Sequence, residues 1–140
     1  NSRDNARTPM QWDDTANAGF TTGTPWLPAN ENYHTINAAA EEADADSVLS
    51  YYKQIIRLRK TNPVLLNGVY EELLAESEQI YAFSRTEGNR RIVTAVNFSA
   101  EEAQLPAGFL RGVRLIGSYA DAPKAALRPL EAVVYEEEVK

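Results

Sequence analysis

Residues able to do chemistry are concentrated in the first twelve positions, which read NSRDNARTPMQW. Arg3 and Arg7 lie four residues apart and enclose Asp4 and Asn5. A guanidinium is a rigid planar fork that binds two oxygens at once. Together with a carboxylate, an amide and nearby aromatic rings, it can hold sugar hydroxyls while the rings cover the apolar sugar face. The simpler interpretation is an Arg–Asp pair that fixes a long loop, and residue types alone favour it.

The remaining chemical groups do not complete a catalytic centre. Trp12 and Trp26 could be sugar platforms or loop anchors, and most tryptophans serve in packing. His34 is the single histidine, and we interpret it as structural or solvent-facing. The chain has no cysteine and its seven glycines are scattered, which excludes thiolate metal sites and a glycine-rich phosphate loop. The pattern predicts no metal and no cofactor.

The composition is that of a globular protein. Of the 140 residues, 44% are hydrophobic and 24% are charged, with a net charge of -6. This balance argues against nucleic acid and acidic membrane surfaces as partners, because binding to phosphate requires a basic patch. No apolar run reaches about 18 residues, the length that a membrane span needs. The lack of cysteine is compatible with the cytoplasm, which is the location we predict.

The first half of the chain shows two patterns. Residues 1–45 are rich in Asn, Thr, Pro, Gly and Ala without sustained periodicity, which predicts a long irregular segment. Its aromatic residues argue against disorder. In DADSVLSYYKQIIRLRKTNP, apolar residues recur at helical spacing and predict a helix over 47–61. We expect Asp46 to be its N-cap and Pro63 to end it.

Beyond Gly68 the apolar pattern changes to a period of two, the period of a β-strand. Turn signals separate the apolar runs, which predicts an antiparallel meander or sandwich. A unit of this size has a thin core, so we expect it to pack against the helix or a larger partner. The runs are GVYEELLA, QIYAFSRT, RRIVTAVNFS, VRLIGSYA and LEAVVYEEE. Tyr81 and Phe83 share one strand face by alternation. We interpret both as core residues rather than an exposed sugar platform.

Three motifs together resemble a known enzyme family. They are SRDNARTPMQWDD with the following NAGFTTGTPW and NENY, then DSVLSYYKQIIRLRKTNPVL, and LRPLEAVVY near the end. They resemble the α-glucosidase branch of the α-amylase superfamily of glycoside hydrolases, which contains oligo-1,6-glucosidases, dextran glucosidases and phosphotrehalases. The RDNARTPMQW block is the most specific of them, and the resemblance covers essentially the whole chain.

The resemblance implies a mixed fold with two parts. In the family, a (β/α)8 barrel carries the chemistry and a β-sandwich follows it. Residues 1–67 would be the long loop after the last barrel strand together with the last barrel helix. Residues 68–140 would be an all-β antiparallel C-terminal sandwich. The remainder of the catalytic barrel would then be the main partner of this chain.

The resemblance also implies a retaining mechanism, in which one aspartate attacks the anomeric carbon and a glutamate protonates the leaving oxygen. These carboxylates lie on earlier barrel strands, so no catalytic residue is expected on this chain and the chain alone should be inactive. Arg3 matches the family arginine that, with a distant aspartate, holds the terminal glucose. Asp4, Arg7 and Trp12 would support the loop.

The expected activity is exo-acting release of terminal glucose from short α-1,6-linked oligosaccharides. Cleavage of α-1,4 bonds or of trehalose 6-phosphate is the alternative within the family. An alternative of another class is a stand-alone β module that binds carbohydrate or serves a structural purpose without catalysis. An exposed line of aromatic residues on one sheet face would favour that module.

Overall fold

The computed structural model describes residues 3–139 of the chain. The outermost residues of the predicted parts 1–67 and 68–140, at positions 1, 2 and 140, therefore lie outside the described residues. The chain divides into two compact units, Asn1–Ile56 and Arg57–Lys140, with the division falling inside a helix. Among the described residues, no helix is long and apolar enough to cross a membrane.

The first unit consists mainly of turns and short helices. Three 3-10 helices, Asp4–Ala6, Ala16–Gly19 and Glu31–His34, precede helix α1, Ala38–Ala43. The predicted irregular segment thus contains one α-helix that the prediction omitted. The helix begins because the Asn37 side chain accepts a hydrogen bond from the Ala40 N–H at 2.8 Å, which is an N-cap. Six residues are too few to show a helical period.

Helix α2, Val48–Thr61, confirms the helix predicted over 47–61. Its N-cap is Ser47, whose hydroxyl oxygen accepts from the Ser50 N–H at 3.1 Å. The prediction of Asp46 as the cap was wrong by one residue. The Asp46 N–H itself donates to a carboxylate oxygen of Asp44 at 2.9 Å, so Asp46 belongs to the turn before the helix.

A second helix follows α2 directly. Asn62 is extended, as the following proline requires, and its side chain accepts from the Val64 N–H at 3.0 Å. Helix α3, Pro63–Asn67, starts with that proline in its first turn, where a missing N–H costs nothing. The prediction that Pro63 ends α2 is correct, but the short helix that it begins was missed.

The second unit is antiparallel β structure. All five predicted strands are present, and two very short strands add to them. The strands are β1 Val69–Leu73, β2 Ile80–Glu87, β3 Arg90–Asn97, β4 Ala103–Gln104, β5 Val113–Gly117, β6 Ala126–Leu127 and β7 Ala132–Glu138. One sheet has the order β1-β2-β3-β7-β5, and β4 pairs with β6 in a second sheet. Because β7 lies between β3 and β5, the large sheet is not a simple meander.

The core of this unit combines alanines and aliphatic residues with Tyr135, and partly buried leucines and Phe109 pack against it. One buried cluster contains Ile80 and Ala82 of β2, together with residues of β3, β4, β6 and β7. The other members are Ala95, Ala103, Leu127, Val133 and Tyr135. Tyr81 and Phe83 alternate with Ile80 and Ala82, so they point to the opposite sheet face. Tyr81 is 44% exposed and Phe83 is half-buried. Their interpretation as core residues was therefore wrong.

A buried carboxylate connects the end of β6 to the start of β7. Glu131 has no exposed surface, and its two oxygens accept from the Arg128 guanidinium at 2.6 and 2.9 Å. Burial alone would raise the pKa of Glu131, but hydrogen bonds from the side chain and backbone of Arg128 outweigh it and lower the pKa. The Arg128 guanidinium also binds a carboxylate oxygen of Asp121 at 2.7 Å.

We expect Glu131→Gln to destabilise the second unit by about 3 kcal/mol at pH 7, because it leaves a charged partner without its buried counter-ion. The folded-state pKa of Glu131 is lowered, so its stabilisation is present above the unfolded carboxyl pKa of about 4.3 and disappears as the pH falls through the folded value. Backbone amide signals of β3 and β7, followed by NMR through urea titrations at pH 7 and pH 3, measure this.

Asp121→Asn is the matched control, since it removes the other acidic partner of the same arginine at a largely exposed position. It should cost much less stability at pH 7. Equal losses for the two variants, or a Glu131→Gln loss that persists undiminished at pH 3, would contradict the role given to the buried carboxylate.

Candidate functional site

The candidate site is the N-terminal loop that contains Arg3. Arg3 precedes the first 3-10 helix, Asp4–Ala6, and it is exposed. Among the described residues, its side chain makes no hydrogen bond or ion pair. The short helix turns the chain immediately after Arg3, because the Arg7 N–H donates to the Asp4 carbonyl at 3.0 Å. Arg3 thus lies at the start of this turn with an exposed side chain.

Asp4 and Arg7 form an ion pair across this same turn. The Arg7 guanidinium also lies over the ring of Trp26, 4.9 Å from its centroid, which is within the range of a cation–π interaction. Asp4 and Arg7 therefore both make contacts within the loop, and their role in supporting it stays a prediction. Trp26 is 81% exposed, so its second ring face is open. The ion pair that the structure describes for Asp4 is thus with Arg7 and not with Arg3.

Trp12 is held through its backbone rather than its ring. Its N–H donates to the Ala18 carbonyl and its carbonyl accepts from the Ala39 N–H, both at 2.9 Å. The ring is 53% exposed. The backbone of Trp12 thus links two distant parts of the loop, while its ring is left partly exposed.

A tight turn of left-handed residues fixes the middle of the loop. Asn17, Ala18 and Gly19 all have positive φ angles, between 56° and 65°. A Cβ atom on Gly19 would lie 2.6 Å from the carboxylate oxygens of Asp13. That carboxylate accepts from the hydroxyl and the N–H of Thr15, and these hydrogen bonds lower the pKa of Asp13. The turn therefore requires glycine for both its backbone angle and the space beside Asp13.

Two amide side chains that the sequence analysis did not single out bridge the loop. Gln11 donates to the Ile36 carbonyl at 2.5 Å and to the side-chain oxygen of Asn32 at 3.2 Å. Asn37 is nearly buried, caps α1, and donates to the Tyr33 carbonyl at 2.8 Å. The signal for them was the high amide content of the segment, but amides are common in loops and their partners are distant. Within residues 3–139, no group of acidic or histidine side chains could hold a metal ion.

Known proteins match this chain over the segments that carry the RDNARTPMQW block and the following motifs. A family model described as "Alpha amylase, catalytic domain" matches residues 1–68. The chain is 43% identical over 143 residues to an oligo-1,6-glucosidase of Parageobacillus thermoglucosidasius, covering 96% of this chain and 25% of that protein. It is 38% identical to a trehalose-6-phosphate hydrolase of Bacillus subtilis (strain 168), covering 96% of this chain and 26% of that protein. The chain belongs to the glucosidase branch of the α-amylase superfamily.

A solved structure of this superfamily has the same fold over nearly the full chain. The crystal structure of an isomaltulose synthase from Klebsiella sp. LX3 matches with a TM-score of 0.85 and 45% identity, covering 96% of this chain and 25% of that one. The chain spans about a quarter of the length of the superfamily members that it matches. The loop around Arg3 lies within the part that matches the catalytic domain.

Substitutions of Asn37 test how much its two side-chain hydrogen bonds contribute to the order of the N-terminal loop. Asn37→Asp keeps the acceptor for the Ala40 N–H but loses the donor to the Tyr33 carbonyl, whereas Asn37→Ala loses both. Each bond contributes on the order of 1 kcal/mol. We expect cleavage of residues 3–47 under limited proteolysis to be fastest in Asn37→Ala and intermediate in Asn37→Asp, as read by mass spectrometry. Unchanged cleavage in both variants would contradict this account.

Proposed function

We propose that this chain is the C-terminal part of a retaining, exo-acting α-glucosidase that releases terminal glucose from short α-1,6-linked oligosaccharides. The observation that carries the proposal is the match of residues 1–68 to an amylase catalytic domain in a chain that is 43% identical to an oligo-1,6-glucosidase. In this proposal, residues 1–67 complete the catalytic barrel and residues 68–140 form the C-terminal β-sandwich. The cytoplasmic location stays a prediction from composition.

Helix α2 supports the proposal that the barrel extends beyond this chain. The helix carries an apolar stripe that is exposed along its length: Val48, Tyr52, Ile55 and Ile56, each between 40% and 67% exposed. A helical apolar stripe of this kind normally packs against a protein core. An eighth barrel helix would bury such a stripe against neighbouring strands and helices, which are the remainder of the catalytic barrel.

Arg3 is the residue that we assign to substrate binding. Its exposed guanidinium, unoccupied by any described residue, would hold two hydroxyl oxygens of the terminal glucose, assisted by an aspartate on another part of the barrel. This contact would close the pocket behind a single glucose and so enforce exo-action. The attacking aspartate and the proton-donating glutamate would also be supplied by other parts of the barrel.

In the intact enzyme, Arg3→Ala should lower kcat/KM for isomaltose by about 30-fold or more, equivalent to roughly 2 kcal/mol or more for loss of a charged hydrogen bond. Arg7→Ala is the matched control, because it removes a nearby arginine that we assign to loop support, and its effect should be several-fold smaller. Steady-state kinetics on isomaltose measures both. Kinetics close to wild type for Arg3→Ala would refute the assignment.

The 140-residue chain alone should not hydrolyse a chromogenic α-glucoside, because the proposal leaves it without catalytic carboxylates. The chain should nevertheless fold, as judged by circular dichroism, so that inactivity is not the result of unfolding. Turnover that belongs to the purified chain itself, and not to a contaminating glucosidase, would overturn the proposal that the catalytic carboxylates lie elsewhere.

A second candidate is hydrolysis of trehalose 6-phosphate. The 38% identity to a trehalose-6-phosphate hydrolase over 96% of this chain favours it. A solved structure of a trehalulose synthase mutant in complex with the substrate sucrose is 43% identical to this chain, which makes sucrose a third substrate to include. Assays of the intact enzyme on isomaltose, maltose, trehalose 6-phosphate and sucrose would separate these activities, and the proposal requires the highest kcat/KM on isomaltose.

A further inference from the structure

The connection between helix α3 and strand β1 contains the dipeptide Asn67–Gly68, which occurs nowhere else in the sequence. An asparagine before glycine is chemically labile: the glycine nitrogen can attack the side-chain carbonyl carbon, and glycine has no side chain to hinder ring closure. Asn67 is the last residue of α3 and is exposed to solvent. Among residues 3–139, no hydrogen bond engages its side-chain amide. The group that would be attacked is therefore accessible in the folded chain.

The attacking group, in contrast, is held by the fold. The Gly68 N–H donates to the Val64 carbonyl at 2.9 Å, as the final hydrogen bond of α3, and Gly68 is buried. Ring closure requires the ψ angle of Asn67 to leave the helical range and the amide proton of Gly68 to be removed. Both changes require this hydrogen bond to break, so the formed helix keeps the nitrogen away from the Asn67 side chain.

Protection of Asn67 consequently depends on the stability of α3. A helix of five residues is too short to be stable by itself. Its N-cap Asn62 accepts from the Val64 N–H at 3.0 Å, and the side chain of Val64 is buried. The Arg59 guanidinium donates to the Leu65 carbonyl at 2.6 Å. Short, largely exposed elements open locally at a lower free energy than the core does, so these contacts determine how often Asn67 becomes reactive.

The fold requires glycine at position 68, so the labile dipeptide cannot be avoided by changing that residue. A Cβ atom there would lie 2.4 Å from the Val64 carbonyl oxygen and 3.0 Å from the Thr86 nitrogen, both of them backbone atoms. The Gly68 carbonyl also accepts from the Arg85 guanidinium at 3.0 Å. Strand β1 begins at the next residue, Val69. The passage from α3 into the sheet is thus tightly packed around Gly68.

We propose that Asn67 is a site of spontaneous deamidation and isoaspartate formation, and that helix α3 suppresses the reaction while it is formed. When α3 opens, the Gly68 nitrogen loses its proton to hydroxide and bonds to the Asn67 side-chain carbon, and ammonia leaves. Water then opens the succinimide ring at one of its two carbonyl carbons, giving aspartate or isoaspartate. The reaction consumes water and releases ammonia. It requires no assumption about the substrate of the parent enzyme.

The isoaspartate product would damage the passage into the sheet. It routes the main chain through the former side chain, which adds one carbon atom directly before Gly68 and leaves a free carboxylate. Because Gly68 has no room beside Val64 and Thr86, the last hydrogen bond of α3 cannot form again in its original place. Opening of α3 is thereby converted into a permanent change, as happens when an opened state is chemically modified before it closes.

Peptide mapping of the intact polypeptide by mass spectrometry, after incubation in mildly alkaline buffer with or without guanidinium chloride, tests the proposal. Trypsin releases residues 61–85 as one peptide. Its other asparagine, Asn62, precedes a proline that has no N–H to attack, so deamidation of this peptide reports on Asn67. In denaturant, Asn67 should react at least about tenfold faster than Asn89, an exposed asparagine followed by Arg90. Folding should slow Asn67 at least about tenfold.

Variants of the residues that hold α3 test whether this helix supplies the protection. Asn62→Ala removes the cap and should raise the rate at Asn67 in the folded polypeptide about fivefold, the effect of losing a typical cap. Asn62→Ser keeps an acceptor at the cap and is the matched control, with a rate near wild type. Arg59→Ala loses the contact with the Leu65 carbonyl and should act in the same direction, which serves if Asn62→Ala does not fold. All of these rates should coincide in denaturant.

The outcomes separate the parts of the proposal. Equal rates at Asn67 and Asn89 in denaturant would show that the dipeptide is not labile and would overturn it. Equal rates at Asn67 with and without denaturant would overturn suppression by the fold. An unchanged rate in folded Asn62→Ala and Arg59→Ala alike would overturn the role of α3. Labelling by an isoaspartyl methyltransferase identifies the product, and aspartate without any isoaspartate would overturn the succinimide route.

Discussion

The buried ion pair between Glu131 and Arg128 is the interaction on which the β unit depends. It fixes the short connection from β6 to β7, and the same connection is tied to β3. The side-chain amide of Asn97 donates to the carbonyls of Leu127 and Arg128 at 3.3 and 2.9 Å, while its N–H donates to the Glu131 carbonyl at 2.9 Å. The two sheets are thereby joined by polar groups that have no exposed surface.

This polar junction compensates for a small hydrophobic core. The buried cluster contains three alanines and only two large aliphatic residues, Ile80 and Leu127, beside Val133 and Tyr135. Such a core contributes limited stability on its own. Buried charges are costly unless fully paired, and a fully satisfied network fixes one arrangement of the strands. Asn97 and Glu131 supply two such paired polar groups, and they connect β3 to the segment between β6 and β7.

The N-terminal loop follows a different physical logic. It has little regular structure, yet amide side chains, a left-handed turn and backbone hydrogen bonds hold it over long sequence distances. Asp4 forms an ion pair with Arg7. Arg3 therefore has no ion-pair partner among the described residues. A loop held by its own polar groups can present a free guanidinium at a defined place, and such a group is suited to a ligand with several hydroxyls.

Exposed apolar surfaces in both units have a common explanation in the proposed parent enzyme. The apolar stripe of α2 is exposed, as are Tyr70 and Tyr81 on the sheet face opposite the buried cluster, although apolar surfaces of this kind normally pack. In the proposed parent enzyme, these surfaces would be available for contact with the rest of the polypeptide. Completion by the remaining barrel is the proposal that unites the two observations.

Much of the architecture could be predicted from local pattern. The helical spacing of apolar residues between Val48 and Ile56 defined α2, and alternation defined all five longer strands. Local pattern failed where an element was too short to show a period, as for α1, α3, β4 and β6. It also misassigned the cap of α2, because Asp46 and Ser47 are both good caps and only the turn geometry at Asp44 selects between them.

The sequence by itself determined the superfamily, through the RDNARTPMQW block, and the type of each long element, because periodicity is a property of neighbouring residues. Only the tertiary structure decided which sheet face is the core. Alternation puts Tyr81 and Phe83 on one face and Ile80 and Ala82 on the other, but it cannot say which face meets the second sheet. Burial of Glu131 was likewise invisible: Arg128 is only three residues away, but Asn97, whose N–H bonds to the Glu131 carbonyl, is brought there by the pairing of β3 with β7. Long-range packing decides these points, and no local pattern contains it.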